Sequence, residues 1–405
     1  MMEALQFSFS VPRFIALKAI SPLNKKAYYD GKLATVKLVD VPEPRLPGES
    51  WVKIQVKYCG FCGSDMNLIF LKDSPSASPF TSMPCIMGHE FCGEIVEKGA
   101  DVKGFDLGDI VAVAPHLGCE ARKISPICPN CRTGRPANCQ NMAKGALAPG
   151  MFNGICRDVP GGFAPFAAAH QSQLFKMPEG LSPRLGALTE PAAVAVQAVL
   201  DNLPGNKDKV LVIGGGVIGQ MIVWALRAMG LECDITVSEP FPFAQDMAKR
   251  AGADHIIKDG NLFTAAARIT DAERYSPVMG DDICMGGFTK IFDCVGTGAT
   301  INIAMRCLAG RGVLSVVGIG DDVKLDLTPL WLKIQTIKGV FAYGYNMVDG
   351  KREHAFTTSM RLALDHSEFL ESMITHTFSL GQYKELIQTN LDKGKTRAVK
   401  TMFAF

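Results

Sequence analysis

The segment KVLVIGGGVIGQMIVWALRAMG, beginning at Lys209, limits the fold more than any other stretch of the chain. A short run rich in Val and Ile reads as a buried strand, and the apolar residues after the glycines recur at helical spacing. Between them stands Gly214-x-Gly216-x-x-Gly219. Glycine is common, so the bare pattern says little; between a strand and a helix it says much more. Gly214 permits a tight turn, Gly216 lets the backbone approach a pyrophosphate, and Gly219 lets helix and strand lie close. The helix start, with Val217 and Ile218, offers free N–H groups to an anion. Glu239 ends the next strand-like run, DITVSE, 20 residues after Gly219. A carboxylate there accepts hydrogen bonds from a ribose 2′-OH and repels a 2′-phosphate. Pro240, Phe241, Pro242 and Phe243 follow, with no cation among them, which favours NAD over NADP. A surface Glu at a strand end, with no ligand, is the plain alternative.

The alternation continues downstream. KIFDCVG, GRGVLSVVGIG and IKGVFA are strand-like, with helical stretches such as ATINIAMRCLA between them. Strands alternating with helices imply right-handed βαβ units and a parallel sheet. Upstream, residues 34–60 and 88–114 carry short alternating runs broken by Gly and Pro, the texture of an all-β, barrel-like body. The Ala-rich stretch LGALTEPAAVAVQAVLDNLPG marks the change. The tail from about Asn346 holds two helical stretches and a last strand, AVKTMFAF, expected to pack back on the first part. Two domains are therefore expected: residues 1–196 completed by 346–405, and a nucleotide-binding domain over 197–345.

The length of 405 residues allows a core in each. Lys and Arg number 42 against 40 Asp and Glu, so no strong field draws nucleic acid or an anionic membrane. No apolar run approaches the ~20 residues of a membrane span. The start, MMEALQFSFSVPRFIALK, lacks the basic and apolar regions of an export signal and is expected to be a disordered or docking extension. The 13 cysteines, an odd number, argue against a disulfide framework and for a reducing compartment, the cytoplasm. Cys233, Cys284, Cys294 and Cys307 lie in apolar stretches and are expected to be small core residues.

Two motifs carry metal chemistry. YCGFCGSDMN holds Cys59 and Cys62; MGHEFCGE holds His89 and Glu90. A catalytic zinc takes three protein ligands plus water, and Cys62, His89 and one carboxylate would supply them. Each motif alone is weak: Cys59 and Cys62 also suit a redox pair, and a single His in a Gly-rich turn is commonly structural. Taken in order, CGFCGSD, GHEFCGEIVEKG, a cysteine cluster, LTEPAAVAVQAV and VLVIGGGVIG resemble the zinc-dependent medium-chain dehydrogenases, most closely the polyol, butanediol and threonine dehydrogenase branch. The resemblance covers about residues 32–405 and leaves out the residues before 15. It implies a GroES-like, partly open β-barrel catalytic domain and a Rossmann doubly wound parallel-sheet domain. It also implies roles. Cys62 and His89 stand as catalytic zinc ligands, with Glu90 as one that comes on and off. Glu190 is either a third ligand or the carboxylate that holds the zinc-bound water. Asp65 would orient His89, as a ligating imidazole requires. Ser64 would take the substrate proton. Many relatives carry a His proton shuttle where this chain has Asn67, and an amide cannot titrate near neutral pH.

Relatives also hold a second, structural zinc on four cysteines at spacings x2, x2, x7. CPNCRTGRPANC supplies Cys128, Cys131 and Cys139, but the expected first position is Ser125. Cys119 lies earlier, with EARKISPI between it and Cys128. A flexible loop closes at small entropic cost, so Cys119 is expected as the fourth ligand. His116 and a site without metal are the alternatives.

The implied reaction is a reversible NAD-linked oxidation of a secondary alcohol or polyol. The glycine turn and Val317, Gly318 and Ile319 would hold the nicotinamide, with the cleft between the two domains. The loops LIFLKDSPSASPFTSM and MAKGALAPGMFNGICRDVPGG are candidates to line the pocket, through Phe70, Met151 and Phe152; each equally suits packing within its own loop. Relatives are mostly homodimers or homotetramers. Two other classes stay open: a reductase acting on an activated C=C bond, and a non-catalytic NAD-binding protein.

Overall fold

The computed structural model describes residues 1–258, 261–318 and 322–405. Its contacts divide the chain into two compact units, Met1–Glu190 with Tyr343–Phe405, and Pro191–Ala342. Both boundaries fall a few residues before those expected from the sequence. Helix Thr189–Asp201 opens with Glu190 on the side of the first unit, and Tyr343 packs on His116 with ring centroids 5.3 Å apart.

The first unit is built on a seven-stranded sheet. Its order is Ile374–Phe378, Lys400–Ala404, Trp51–Phe61, Glu90–Lys98, Ile110–Val113 and Leu174–Lys176, with Phe166–His170 pairing Trp51–Phe61 as well. All pairings are antiparallel except the first. Alternate residues of the long strand, Val52, Ile54 and Val56, are buried in one core with Phe91, Ile95, Phe163 and Phe403. Phe163 meets Phe403 edge-on at 5.0 Å and stacks on Phe61 at 5.9 Å. Each such ring contributes roughly 1.5–3 kcal/mol by leaving water. The last strand of the chain is central to this unit: Phe403 lies opposite Cys59 and Thr401 opposite Phe61.

The amino-terminal residues correct an expectation. Met2–Phe7 is an ordered strand, paired with Val36–Val41 from Met2 opposite Val41 to Phe7 opposite Val36, and Cys85–Ile86 pairs on its other side. Ala4, Leu5 and Phe7 are buried. The apolar content of MEALQF is what a half-buried strand needs. Residues 8–35 are thus an excursion between two paired strands, and they contain helix Val11–Ile20.

The second unit holds a six-stranded parallel sheet in the order His255–Ile257, Asp234–Ser238, Lys209–Ile213, Phe288–Asp293, Leu308–Val316, Thr336–Gly339. Strand order reverses between Lys209–Ile213 and Phe288–Asp293, the switch point where doubly wound sheets bind ligands. Gly214 has φ +92°, and helix Val217–Ala228 starts just beyond it. A Cβ on Gly219 would lie 1.9 Å from the Gly214 carbonyl oxygen, so no other residue fits that close approach. At the end of the fourth strand, buried Asp293 accepts from the N–H groups of Val295 and Gly296 and from the Thr300 hydroxyl. Its backbone carbonyl accepts from Val317 and Gly318, both at 2.9 Å. Ile319 lies outside the described residues.

Among the described residues no helix is long and apolar enough to cross a membrane. All the cysteines are free thiols. Cys233, Cys284 and Cys307 are buried as expected, and Cys294 is half-buried.

Candidate metal centres and nucleotide turn

Strand Trp51–Phe61 ends beside Cys62, which caps helix Gly63–Ile69. The Cys62 side chain accepts from the Asp65 backbone N–H, and the Asp65 carboxylate accepts from the Cys62 N–H at 2.9 Å. The other Asp65 oxygen lies 3.6 Å from His89 Nδ1, so one buried carboxylate fixes both the cysteine and the imidazole. His89 follows Gly88, whose φ of +94° makes the turn into strand Glu90–Lys98. Its Nε2 lies 3.3 Å from the Ser64 hydroxyl. Ligand atoms of Cys62, His89 and Glu90 all fall within 4.8 Å of one another. Cys59, by contrast, sits in the core, its thiol pushed well above the ordinary range by burial.

The donor set fits zinc. A thiolate, an imidazole and a carboxylate suit a borderline-soft ion, and three protein ligands leave one open position. Burial works against a proton on His89, yet Asp65 and Cys62 outweigh it and hold the ring well above its ordinary pKa. The cluster thus attracts positive charge.

Glu90 is fully buried, and its carboxylate is paired with the equally buried ammonium of Lys400, which also donates to the Phe61 carbonyl at 3.2 Å. Burial opposes the lysine's charge, but Glu90 and Cys62 prevail and raise its pKa. Lys400→Met leaves a buried carboxylate without its cation and is expected to destabilise the metal-free chain by about 3–5 kcal/mol. Urea unfolding checks this: adding Glu90→Gln to Lys400→Met is expected to restore much of the loss, because the amide is neutral.

Glu190 lies outside the group of three donors. It is buried, and burial lifts its carboxyl to about 7; the charge of Glu90 adds to this, while His89, Tyr343 and Lys400 oppose it. The phenol of Tyr343 is in turn pushed well up by burial and by Glu190. Phe152 packs its ring 5.1 Å from His89. Phe70 instead packs on Tyr28 and Tyr29, and Met151 lies against the main core.

The sulfurs of Cys119, Cys128, Cys131 and Cys139 also gather within 4.8 Å of one another. Cys119 and Cys139 are 3.6 Å apart, and Cys128 and Cys139 4.0 Å. Four sulfurs at the zinc–thiolate distance form a tetrahedron with edges of ~3.8 Å, which these separations bracket. Each sulfur accepts at least one N–H bond: Cys119 from Cys128 and Asn141, Cys128 from Cys131, Cys131 from Cys119, Cys139 from Asn141. Such donors favour thiolates. Hydrogen bonding from Cys131 pulls Cys139 down to about 5. The fourth donor is thus Cys119, and His116 does not enter the group. His116 lies against Phe152 and Tyr343, with its pKa lowered by burial to about 3.

The wide gap after Cys119 has a physical reason. It carries Arg122, fully buried, whose guanidinium donates to the carbonyls of Leu117, Lys144, Leu147, Ala148 and Gly150. One side chain thus pins both ends of the lobe. Hairpin Tyr345–Val348 and Lys351–His354 grips its outer side: Tyr345 N–H donates to Gly134, Arg135 to Asn346, and Arg352 to Thr133, each at 3.2 Å.

In the second unit the Glu239 carboxylate bridges the nucleotide turn. Oε2 accepts from the Gly215 N–H at 2.7 Å and Oε1 from Phe241 at 2.8 Å. Glu239 is buried, and a Cβ on Gly215 would come within 2.9 Å of its side chain; Gly214 precedes this contact, and Gly216 caps the helix that starts at Val217 and Ile218.

Sequence reasoning missed Lys400, Arg122 and Tyr343. The first two left a signal: a charged residue amid apolar neighbours in a strand, or in a loop that packs inward, is expensive unless it has partners.

Two family models match the chain: the alcohol dehydrogenase GroES-like domain over residues 48–179 and the zinc-binding dehydrogenase over residues 217–362. The chain is similar to the (R,R)-butanediol dehydrogenase of Bacillus subtilis, 30% identical over 316 residues, 76% of this chain and 82% of that protein. It is similar to the L-threonine 3-dehydrogenase of Pyrococcus abyssi, 30% identical over 390 residues, 95% of this chain and 99% of that one. A sorbitol dehydrogenase of Arabidopsis thaliana is 28% identical over 87% of this chain and 88% of its own. In fold, it matches the crystal structure of Bacillus subtilis 2R,3R-butanediol dehydrogenase with a TM-score of 0.72 over the full length of both chains, at 23% identity. With likeness extending through both units and identity at this level over nearly whole proteins, the chain belongs to the zinc-dependent medium-chain dehydrogenases, oxidoreductases acting on CH–OH groups.

Proposed function

We propose that the protein oxidises a secondary alcohol or polyol reversibly with NAD, using one catalytic zinc held by Cys62, His89 and a carboxylate, and a second zinc in the four-thiol lobe. The convergence of Cys62, His89 and Glu90 within 4.8 Å carries the reading. The names of the relatives, which act on butanediol, threonine and sorbitol, support a secondary alcohol beside a second polar group.

Zinc, when bound, acts as a Lewis acid that lowers the pKa of the substrate hydroxyl. NAD, when bound, accepts the hydride; the protein's part is to place it. Ser64 Oγ, held 3.3 Å from His89 Nε2, receives the hydroxyl proton. Asn67, one helical turn on, cannot pass that proton by titrating, so it leaves through water. Glu90, neutralised by Lys400, is the exchangeable carboxylate. Glu190, outside the donor group and with a pKa near 7, serves by holding a water or a proton rather than as a permanent ligand. The free thiols and the two thiol-bearing clusters support a reducing compartment, the cytoplasm.

A screen of alcohols with NAD, read as absorbance of the reduced cofactor, tests the activity. Turnover of enals or enones with no alcohol oxidised would favour the C=C reductase instead. The cofactor choice rests on Glu239. Glu239→Ala is expected to raise KM for NAD about 10–100-fold, the worth of hydrogen bonds to a charged acceptor, and to lower KM for NADP, because the repulsion of the 2′-phosphate goes with the carboxylate. Equal use of NAD and NADP by the unaltered chain counts against this assignment.

A further inference from the structure

The excursion of residues 8–35 builds a cavity to which the function proposed above assigns no ligand. It measures about 320 Å³ and lies wholly within the first unit, between the excursion and helix Gly63–Ile69. Met66 and Phe70 give it an apolar floor, and Asn67 adds an amide. Lys18, Lys25 and Lys72 stand around it, and no carboxylate lines it. Lys18 reaches the Leu71 carbonyl at 3.4 Å, while the ammonium groups of Lys25 and Lys72 have no ion pair or hydrogen bond among the described residues. The wall is anchored: the buried Thr35 hydroxyl bonds to the carbonyls of both Tyr28, in the excursion, and Ile69, at the end of the helix. Three like charges around one concavity repel each other and focus a positive potential into it. A small anion relieves that repulsion, and the apolar floor suits a carbon body behind it; the volume is that of a small-molecule site.

We propose that this cavity binds the anionic group, a phosphate monoester or carboxylate, of a small organic molecule. Asn67 lies three residues after Ser64, on the same helix face and about 5 Å along the axis. A hydroxy compound bearing its anion a few bonds from the reacting carbon spans that distance, so the cavity defines a substrate class for the dehydrogenase. This step rests on the function proposed above.

Calorimetric titration of inorganic phosphate into the zinc-loaded full chain at low salt tests it. Binding is expected with a Kd in the millimolar range or tighter, weakening with salt. In Lys25→Ala/Lys72→Ala the Kd is expected to rise about tenfold, while Lys207→Ala in the other unit changes nothing. Kinetics then separates the sources of the anion. If the substrate carries it, the double variant raises KM for a polyol phosphate by a similar factor and leaves KM for the neutral polyol alone. If phosphate still binds and neither KM moves, the cavity holds a free ion and its assignment to the substrate is overturned. No phosphate binding by the unaltered chain up to about 20 mM, or equal binding by the double variant, overturns the proposal. Oxidation of a neutral alcohol by the same preparations reports on the dehydrogenase reading separately.

Discussion

Cys62→Ser is expected to remove about one zinc per chain and to lower kcat/KM at least about 10³-fold, with little loss of stability. A hydroxyl is a poor zinc ligand, and the group it belongs to has only three donors within 4.8 Å. Lewis-acid stabilisation amounts to several kcal/mol, and each 1.36 kcal/mol is about a tenfold change in rate. The fold survives for a local reason. Cys62 is the N-cap of helix Gly63–Ile69, and serine is among the best residues for that position. Cys62 is also only half-buried, so little packing is lost. Metal analysis, steady-state kinetics and thermal unfolding on one preparation check all three parts. Cys119→Ser gives the opposite pattern: one zinc lost and lower stability, but near-normal kcat/KM for the molecules that remain folded. Full zinc content and full activity in Cys62→Ser would end the assignment.

The two variants differ because three donors leave an open position for chemistry, whereas four thiols close a site that only holds shape. The two centres were also legible to different degrees. The Rossmann sheet could be read because its signals are local: the strand, the glycine turn and the helix are contiguous at Lys209–Gly230, and Glu239 ends the next strand. Cys62, His89 and Glu90 come from two separate segments, and only the order of motifs joined them. Nothing local could place Lys400, 310 residues from Glu90 in sequence, because its partner is brought to it by the pairing of the last strand with Trp51–Phe61. Ordering of the first seven residues was missed for the same reason. MEALQF is too short to stand as a strand alone, and it is held by Val36–Val41 across an excursion that carries no strand signal. Glu190 could be named but its role could not be divided, since no local signal separates a ligand from a carboxylate that holds water; it lies outside the group of three donors.

Arg122 shows what the unusual spacing after Cys119 is for, and its removal is expected to be the most damaging change in the four-thiol lobe. Arg122→Met keeps the length of the side chain and deletes the guanidinium, leaving five carbonyls short of a donor inside the protein. Each buried group left unpaired costs about 1–3 kcal/mol, and because the losses overlap the total is expected near 5 kcal/mol. A second effect is electrostatic. Cys119 and Cys139 lie in the field of this buried cation, which offsets part of the negative charge that four thiolates bring to one zinc. Zinc in the lobe should therefore exchange faster with a chromogenic chelator in Arg122→Met, while the zinc near Cys62 keeps its rate. Arg122→Lys restores the charge but not the five-donor fork, and is expected to recover zinc retention better than stability. Stability and zinc release both equal to those of the unaltered chain would mean that the long gap, and not the guanidinium in it, is what lets Cys119 reach the other three thiols.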